Sequence, residues 1–206
     1  ILENEYLTQV DVPHMGRMYL GAVPWAFDKT PLVQNRFPPP ATGQDTQRVL
    51  DIGFGCDAAF SGRTSERNGS FPLPLAGMRV IEVCQGVSGP FAGLLLAEAG
   101  AEVIKVEPPE GDYARQFAPE WNGSGDSAIF AQLNRNKKGI TLDLKSESDR
   151  AALRELVRTA DVFLEDWGPG VAEGLGFGYK TLSAKNPKLI YYAVTGHGEK
   201  GPLKDL

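Results

Sequence analysis

The chain has 206 residues, 42% of them hydrophobic and 23% charged, with a formal net charge of −5. That size suits one domain, or one domain with an extension. No apolar run approaches the ~20 residues of a membrane helix, and the mild acidity argues against the basic face that nucleic acid requires, so neither a membrane nor a nucleic-acid partner is expected. Two cysteines, Cys56 and Cys84, are too few for a disulfide framework and are not spaced for zinc, so no metal is expected. Cys84 lies in an apolar run and reads as a buried structural thiol rather than a nucleophile. No signal-peptide pattern precedes the first elements, which makes a cytoplasmic location the expectation. The start at Ile1 rather than Met points to a piece of a longer chain.

In chain order, Tyr19–Phe27 is compatible with a strand, and FPPPATGQDTQRVLDIGFG reads as a Pro-rich turn followed by a short helix around Thr46–Ile52. Residues 61–74, SGRTSERNGSFPLP, are polar and glycine-containing, as linkers are. A strand centred on Val80–Val83 follows, apolar on both faces as in a covered parallel sheet. Gly86, Gly89 and Pro90 make a turn, with Pro90 at the first position of a helix over Phe91–Ala99, where its missing N–H is not needed. Gly100 stops that helix, and Glu102–Val106 is a second strand. Residues 108–128 are rich in Gly, Pro, Asp and Ser and read as a long loop of the kind that carries function.

Gly139–Leu144 is predicted as a third strand, Ser146–Ala160 as a helix capped by Ser146 or Ser148, and Asp161–Glu165 as the next strand. A glycine-rich loop spans Gly168–Gly178, a short helix Tyr179–Lys185, and a last strand Leu189–Thr195. Strands alternating with helices imply an α/β fold: an open, mostly parallel Rossmann-like sheet covered by helices, with an irregular amino-terminal extension.

The turn after the first strand raises the question of a nucleotide. A dinucleotide site needs G-x-G-x-x-G there and an acidic residue about 20 positions on. Glu107 meets the second condition. The run Gly86-Val-Ser-Gly89-Pro-Phe-Ala-Gly93 has the wrong spacing for the first, and Pro90 removes an amide that would face a pyrophosphate. An NAD-dependent oxidoreductase half-domain and a turn that merely packs helix on strand both stay open on the pattern alone. His197, in the loop after the last strand, is a candidate acid or base.

Four blocks carry a resemblance. LAGMRVIEVCQGVSGPFAGLLLAEAGAEVIKVEPPEGDYAR, LNRNKKGITLDLK (133–145), ADVFLEDWGPGVAEGLGFGY (160–179) and NPKLIYYAVTGHGEKGP (186–202) resemble, in order, the amino-terminal part of the class III coenzyme A transferases. That family includes formyl-CoA transferase, carnitine CoA-transferase and the α-methylacyl-CoA racemases. The resemblance implies CoA or acyl-CoA as substrate and a carboxylic acid as acceptor, with no metal. It implies CoA lying along the carboxyl ends of the strands, touching Val87 and Ser88 in the first turn, Leu142–Lys145 in a second segment with Lys145 near a phosphate, and Asp166, Trp167 and Gly168 in a third, where the indole offers a flat face to adenine or pantetheine.

Two positions where several members carry CoA-holding arginines are here Pro108 and Gly174. Pro108 stays in the candidate set by position, although each lost charge-assisted contact is worth roughly 1.5–3 kcal/mol. The polar stretch Asn134, Arg135, Lys137 and Lys138 is either a solvated face or a phosphate contact. The family's nucleophile, an aspartate that forms a mixed anhydride with the acyl group and then a thioester, matches a position past Leu206. No catalytic residue is therefore expected within the 206, and the piece is expected to be inactive alone.

The run MYLGAVPWAFDKTPLVQNRFPPPATGQDTQRVLDIGF resembles the same family's carboxyl-terminal tail. The expected organisation is a tail-like segment over 1–60, a linker over 61–74 and an incomplete CoA-binding part over 75–206, from a tandem-domain parent that forms a homodimer. A CoA-binding, non-catalytic module is the other reading left open.

Overall fold

The computed structural model describes residues 7–13, 15–22, 37–54, 73–121 and 126–204. Its centre is a parallel five-stranded sheet in the order β5-β4-β3-β6-β7, formed by β3 (Arg79–Val83), β4 (Glu102–Glu107), β5 (Lys137–Thr141), β6 (Val162–Glu165) and β7 (Ile190–Ala193). Ile81 stands between Ile104 of β4 and Phe163 of β6, so the first strand in sequence is the middle one in space. All six residues of β4 and all four of β6 are buried. Strands covered on both faces bury every position, here with apolar residues and with the ion-paired Glu102, Lys105 and Glu107 of β4, which is why the alternation of a half-exposed sheet is missing from their sequence.

Two helical layers cover the faces. Helix α2 (Ser88–Glu98) packs Ala97 over Val80, Val103 and Val162. On the other face α4 (Glu147–Arg158) presents Leu153, Leu156 and Val157 at helical spacing, and with Leu182 of α6 (Tyr179–Ser183) and Phe177 it encloses Ile81, Ile104, Ile140 and Phe163.

Several elements depart from the sequence expectation. Helix α2 begins at Ser88, so Pro90 is its third residue rather than its first; it still falls among the first four positions, whose N–H groups have no partner within the helix. The third strand runs two to three residues earlier than predicted, because Lys137 and Lys138 are buried strand residues and not a polar prelude. A helix absent from the sequence reading, α3 (Ala128–Asn134), follows the loop, capped by Ser127, whose Oγ accepts the Ile129 and Phe130 N–H groups. The 108–128 loop also contains a short 3₁₀ turn, Tyr113–Gln116, whose cap is Asp112. Helix α5 (Val171–Leu175) stands inside the glycine-rich loop between Gly170 and Gly176, both with left-handed backbone. Ser146 does occupy the cap position of α4, yet its hydroxyl meets Ser148 instead of a backbone amide.

Ahead of the sheet, β1 (Leu7–Val12) and β2 (Gly16–Gly21) pair antiparallel, with Val10, Val12, Met18 and Leu20 packing against Ala131 of α3. The strand expected at Tyr19–Phe27 is thus earlier, and residues 23–27 of it lie outside the described residues, as do residues 61–72 of the predicted linker. Helix α1 (Thr46–Ile52) has the predicted bounds.

The segment before α1 closes the free edge of β5 largely with side chains. Asp45 N–H donates to the Gly139 carbonyl (2.8 Å) while the Gly139 N–H donates to Asp45 Oδ2 (2.9 Å). Thr141 N–H donates to Thr46 Oγ1 at 2.9 Å, and Val49 of α1 enters the main core. An exposed row of unpaired amides is a template for aggregation; here it is covered from within the chain. Asp45→Ala is expected to cost about 1–3 kcal/mol, the penalty of leaving the buried Gly139 N–H without an acceptor, measured by urea unfolding, with amide exchange accelerated at Gly139 and Thr141.

Candidate functional site

Parallel sheets of this kind bind ligands at the carboxyl ends of their strands. A cleft of about 320 Å3 opens there, lined by Val83, Val106, Pro108, Leu142, Lys145 and Trp167 among others. Four predicted residues (Pro108, Leu142, Lys145 and Trp167) therefore meet in one cavity although they follow three different strands. Asp166, Trp167 and Gly168 line a second, smaller cleft of about 160 Å3 together with Thr195, His197 and Lys204. Trp167 is the wall between the two. Its ring centroid lies 6.2 Å from those of both Phe163 and Phe177, the rings tilted, and its backbone N–H donates to Glu165 Oε2. Val87 and Ser88 are exposed at the start of α2 and line neither cleft. Gly174 is exposed in α5.

The turn that carries Val87 and Ser88 is held from two sides. Asp112 Oδ1 accepts the Gly86 N–H at 2.9 Å, and Asp166 accepts the Gln85 N–H at 3.0 Å. The Tyr113 hydroxyl lies against the α-carbon of Gly86, where any β-carbon would collide with it. Cys84 Sγ stands only 2.5 Å from where a β-carbon on Gly89 would be. These glycines thus make room for the protein's own side chains. The two amides most apt to cradle a pyrophosphate already have carboxylate partners, which counts against a dinucleotide.

The acid of the dinucleotide reading is also engaged. Arg115 donates through Nε to Glu107 Oε2 and through Nη2 to Oε1, both at 2.8 Å, and the Asp112 N–H adds a third donor. With both oxygens occupied and the side chain buried, Glu107 is not available to a ribose hydroxyl. Arg115 continues to Asp126 (3.1 Å), to the Pro40 carbonyl (3.0 Å) and over the Phe130 ring at 3.7 Å.

The stretch Asn134, Arg135, Lys137 and Lys138 is neither a solvated face nor a phosphate contact: all four residues are buried. Arg135 pairs with Glu98 at 2.6 Å, Lys138 with Glu102, and Lys137 with Glu82 at 2.8 Å while also donating to the Pro90 carbonyl and Asn134 Oδ1. Burial pulls Lys137 down to about 8. Lys105, whose side chain has no exposed surface, pairs with Glu82 (3.2 Å) and Asp112 (2.8 Å) and donates to the Cys84 carbonyl (2.7 Å). Burial pulls its ammonium down, but Glu82 and Asp112 more than offset this and its pKa is raised. Burial pushes the Cys84 thiol far up, as befits a structural cysteine. Sequence reading missed Glu82, Lys105, Asp112 and Arg115; the one available signal was a charged residue flanked by apolar ones inside each of two strands, Glu82 and Lys105.

The description "CoA-transferase family III" belongs to a family model that matches residues 75–206. The succinate–glutarate CoA-transferase of Agrobacterium fabrum is 44% identical over 139 residues, 65% of this chain and 35% of that enzyme. The acetyl-CoA:oxalate CoA-transferase of Acetobacter aceti is 44% identical over 132 residues, 63% of this chain and 33% of that enzyme. Among solved structures, a CAIB/BAIF family protein from Brucella suis matches with a TM-score of 0.61 at 41% identity, over 64% of this chain and 36% of that one. The chain spans about a third of the length of the curated relatives it matches.

Lys105→Ala is expected to destabilise the fold by about 3–5 kcal/mol, since it leaves Asp112 without its cation and Glu82 with one fewer. Equilibrium unfolding in guanidinium chloride checks this.

Proposed function

The chain belongs to CoA-transferase family III, and on that footing we propose that residues 75–206 are the CoA-holding α/β part of an enzyme that moves CoA from an acyl-CoA donor to a carboxylic acid. One observation supports the reading most directly. The 320 Å3 cleft at the carboxyl ends of β3 to β6 has apolar walls in Val83, Val106, Leu142 and Trp167, and two cations, Lys145 and Arg150, in its lining. A CoA molecule has the matching parts, a narrow apolar pantetheine arm and a base, linked through phosphates. Trp167 supplies the flat surface for the base or arm, and Lys145 a mobile point charge for a phosphate. Pro108 and Leu142 line the arm's path, while Val87 and Ser88, outside the cleft at the start of α2, and Asp166 and Gly168, beyond Trp167 in the second cleft, take the parts of the ligand that extend past it.

The names of the similar enzymes from Agrobacterium and Acetobacter share the exchange of CoA between carboxylic acids, which supports short acids as the acceptor class. The organisation we assign is a tail-like segment over 1–60, a linker over 61–74 and the CoA-holding part over 75–206, in a cytoplasmic parent that works as a homodimer without a metal.

Titration of the chain with CoA, with NAD in a parallel cell, tests the reading. CoA is expected to bind and NAD is not; binding of NAD alone would overturn it. Trp167→Ala is expected to weaken CoA binding by about 1–3 kcal/mol, with the far-ultraviolet circular dichroism of the variant unchanged. Unaltered affinity in that folded variant assigns Trp167 to packing with Phe163 and Phe177 alone.

A further inference from the structure

Beneath the turn between β3 and α2, three carboxylates stand around two ammonium groups, and two of the three are paired with them. Glu82 of β3 is held by Lys105 of β4 at 3.2 Å and by Lys137 of β5 at 2.8 Å. Asp112, from the segment after β4, is held by Lys105 at 2.8 Å. The third carboxylate, Asp166 at the end of β6, has no ion pair among the described residues; the Gln85 N–H donates to its Oδ1 at 3.2 Å and its Oδ2 at 3.0 Å. With all five groups ionised the cluster keeps one net negative charge where little water reaches it. Glu82 and Asp112 are fully buried and directly paired, whereas Asp166 is half-buried and unpaired, so the relieving proton goes to Asp166.

The remaining groups around Asp166 agree with this. Burial pushes its carboxyl up to about 6 against the Gln85 amide and Lys105, and Glu82 and Asp112 push the same way as burial. Cys84 at the end of β3 and Tyr113 beyond Asp112 are both held protonated, chiefly by burial and in part by Asp166 itself. Across the second cleft stand His197 and Lys204. Asp166 Oδ2 lies 2.9 Å from where a β-carbon on Gly89 would be, so the carboxyl rests against the first turn of α2, beside Val87 and Ser88.

We propose that Asp166 is the proton-linked positioning residue of this turn: when a polyanionic CoA thioester settles against Val87 and Ser88, Asp166 takes up one proton from solvent and holds the turn as a neutral acid. The inference rests on the CoA reading above. A bound ligand removes the remaining water from a half-buried carboxyl and brings phosphate charge near it, and both raise its affinity for a proton. Linkage is reciprocal, so a lower pH tightens CoA binding, by at most tenfold per pH unit for one proton.

The test compares the chain with Asp166→Asn, which keeps an acceptor for the Gln85 amide and removes the titration. CoA is titrated calorimetrically at neutral pH in phosphate and in Tris, buffers of low and high ionisation heat. The unaltered chain is expected to take up a fraction of a proton per CoA that the variant does not, and to gain affinity several-fold over the variant as the pH falls from about 8 to 6. Titration of the CoA phosphates is common to both and cancels. Equal proton counts with parallel pH profiles overturn the proposal. Thermal unfolding without CoA gives an independent readout. A carboxyl whose folded pKa is raised weakens the fold above that pKa, and the loss is relieved as the pH falls through it. The variant is therefore expected to melt higher than the unaltered chain at neutral pH, the gap shrinking from about pH 6 towards 4. A gap that is constant with pH overturns the proposal. Absence of CoA binding by the folded, unaltered chain overturns it together with the CoA reading, while the melting comparison separately reports whether Asp166 titrates.

Discussion

The ammonium group of Lys105 is the point from which the ligand edge of the sheet is organised. Its side chain has no exposed surface and meets Glu82, Asp112 and the Cys84 carbonyl at once. Removing a charge from water costs several kcal/mol unless every neighbour is well placed. A lysine in the middle of a buried strand therefore forces its surroundings into register: Glu82 beside it on β3, Asp112 at the start of the 3₁₀ turn, and the β3 end bent so that a carbonyl reaches it. Asp112 then accepts from Gly86 and Ala114, and Glu107 accepts from the Asp112 N–H. One buried cation thus ties the first turn, the loop after β4 and the end of β4 into a single rigid rim around the cleft.

Arg115 extends the rim to the amino-terminal segment. Its planar fork matches Glu107 with two parallel bonds and has a donor left for the Pro40 carbonyl. Residues far apart in sequence, 40 and 115, are thereby joined, and the same segment goes on to cover the β5 edge through Asp45 and Thr46. The anchoring of Arg115 and the protection of the sheet edge share one piece of chain. The same segment helps to bury the polar 135–138 stretch: the Phe37 carbonyl accepts the Asn136 N–H and the Phe37 N–H donates to Asn136 Oδ1, while Glu98, Glu82 and Glu102 neutralise Arg135, Lys137 and Lys138.

The class of fold and the places of four of the five sheet strands were legible in the sequence, whereas β5 begins two residues before its expected start. Val80–Val83, Val103–Val106, Val162–Leu164 and Ile190–Val194 are short runs rich in β-branched and aromatic residues between helical patterns, the pattern of parallel strands, although Ile190 and Tyr192 of the edge strand β7 are exposed. Helix α1 was legible because its polar and apolar positions are local information. The gathering of Pro108, Leu142, Lys145 and Trp167 also follows from strand ends alone, since all four stand just past a carboxyl terminus of the sheet. Tertiary structure decided the rest. Whether Lys137 is surface or core depends on Glu82, 55 residues earlier, and no window along the chain contains both. Helix α3 gave no strong period in seven residues and is stabilised by packing on α2 and β2. The standing of Asp166 as the carboxylate of this cluster without a paired cation emerges only when four strands and a loop bring five charges together, because electrostatic balance is a property of positions in space and not of order along the chain.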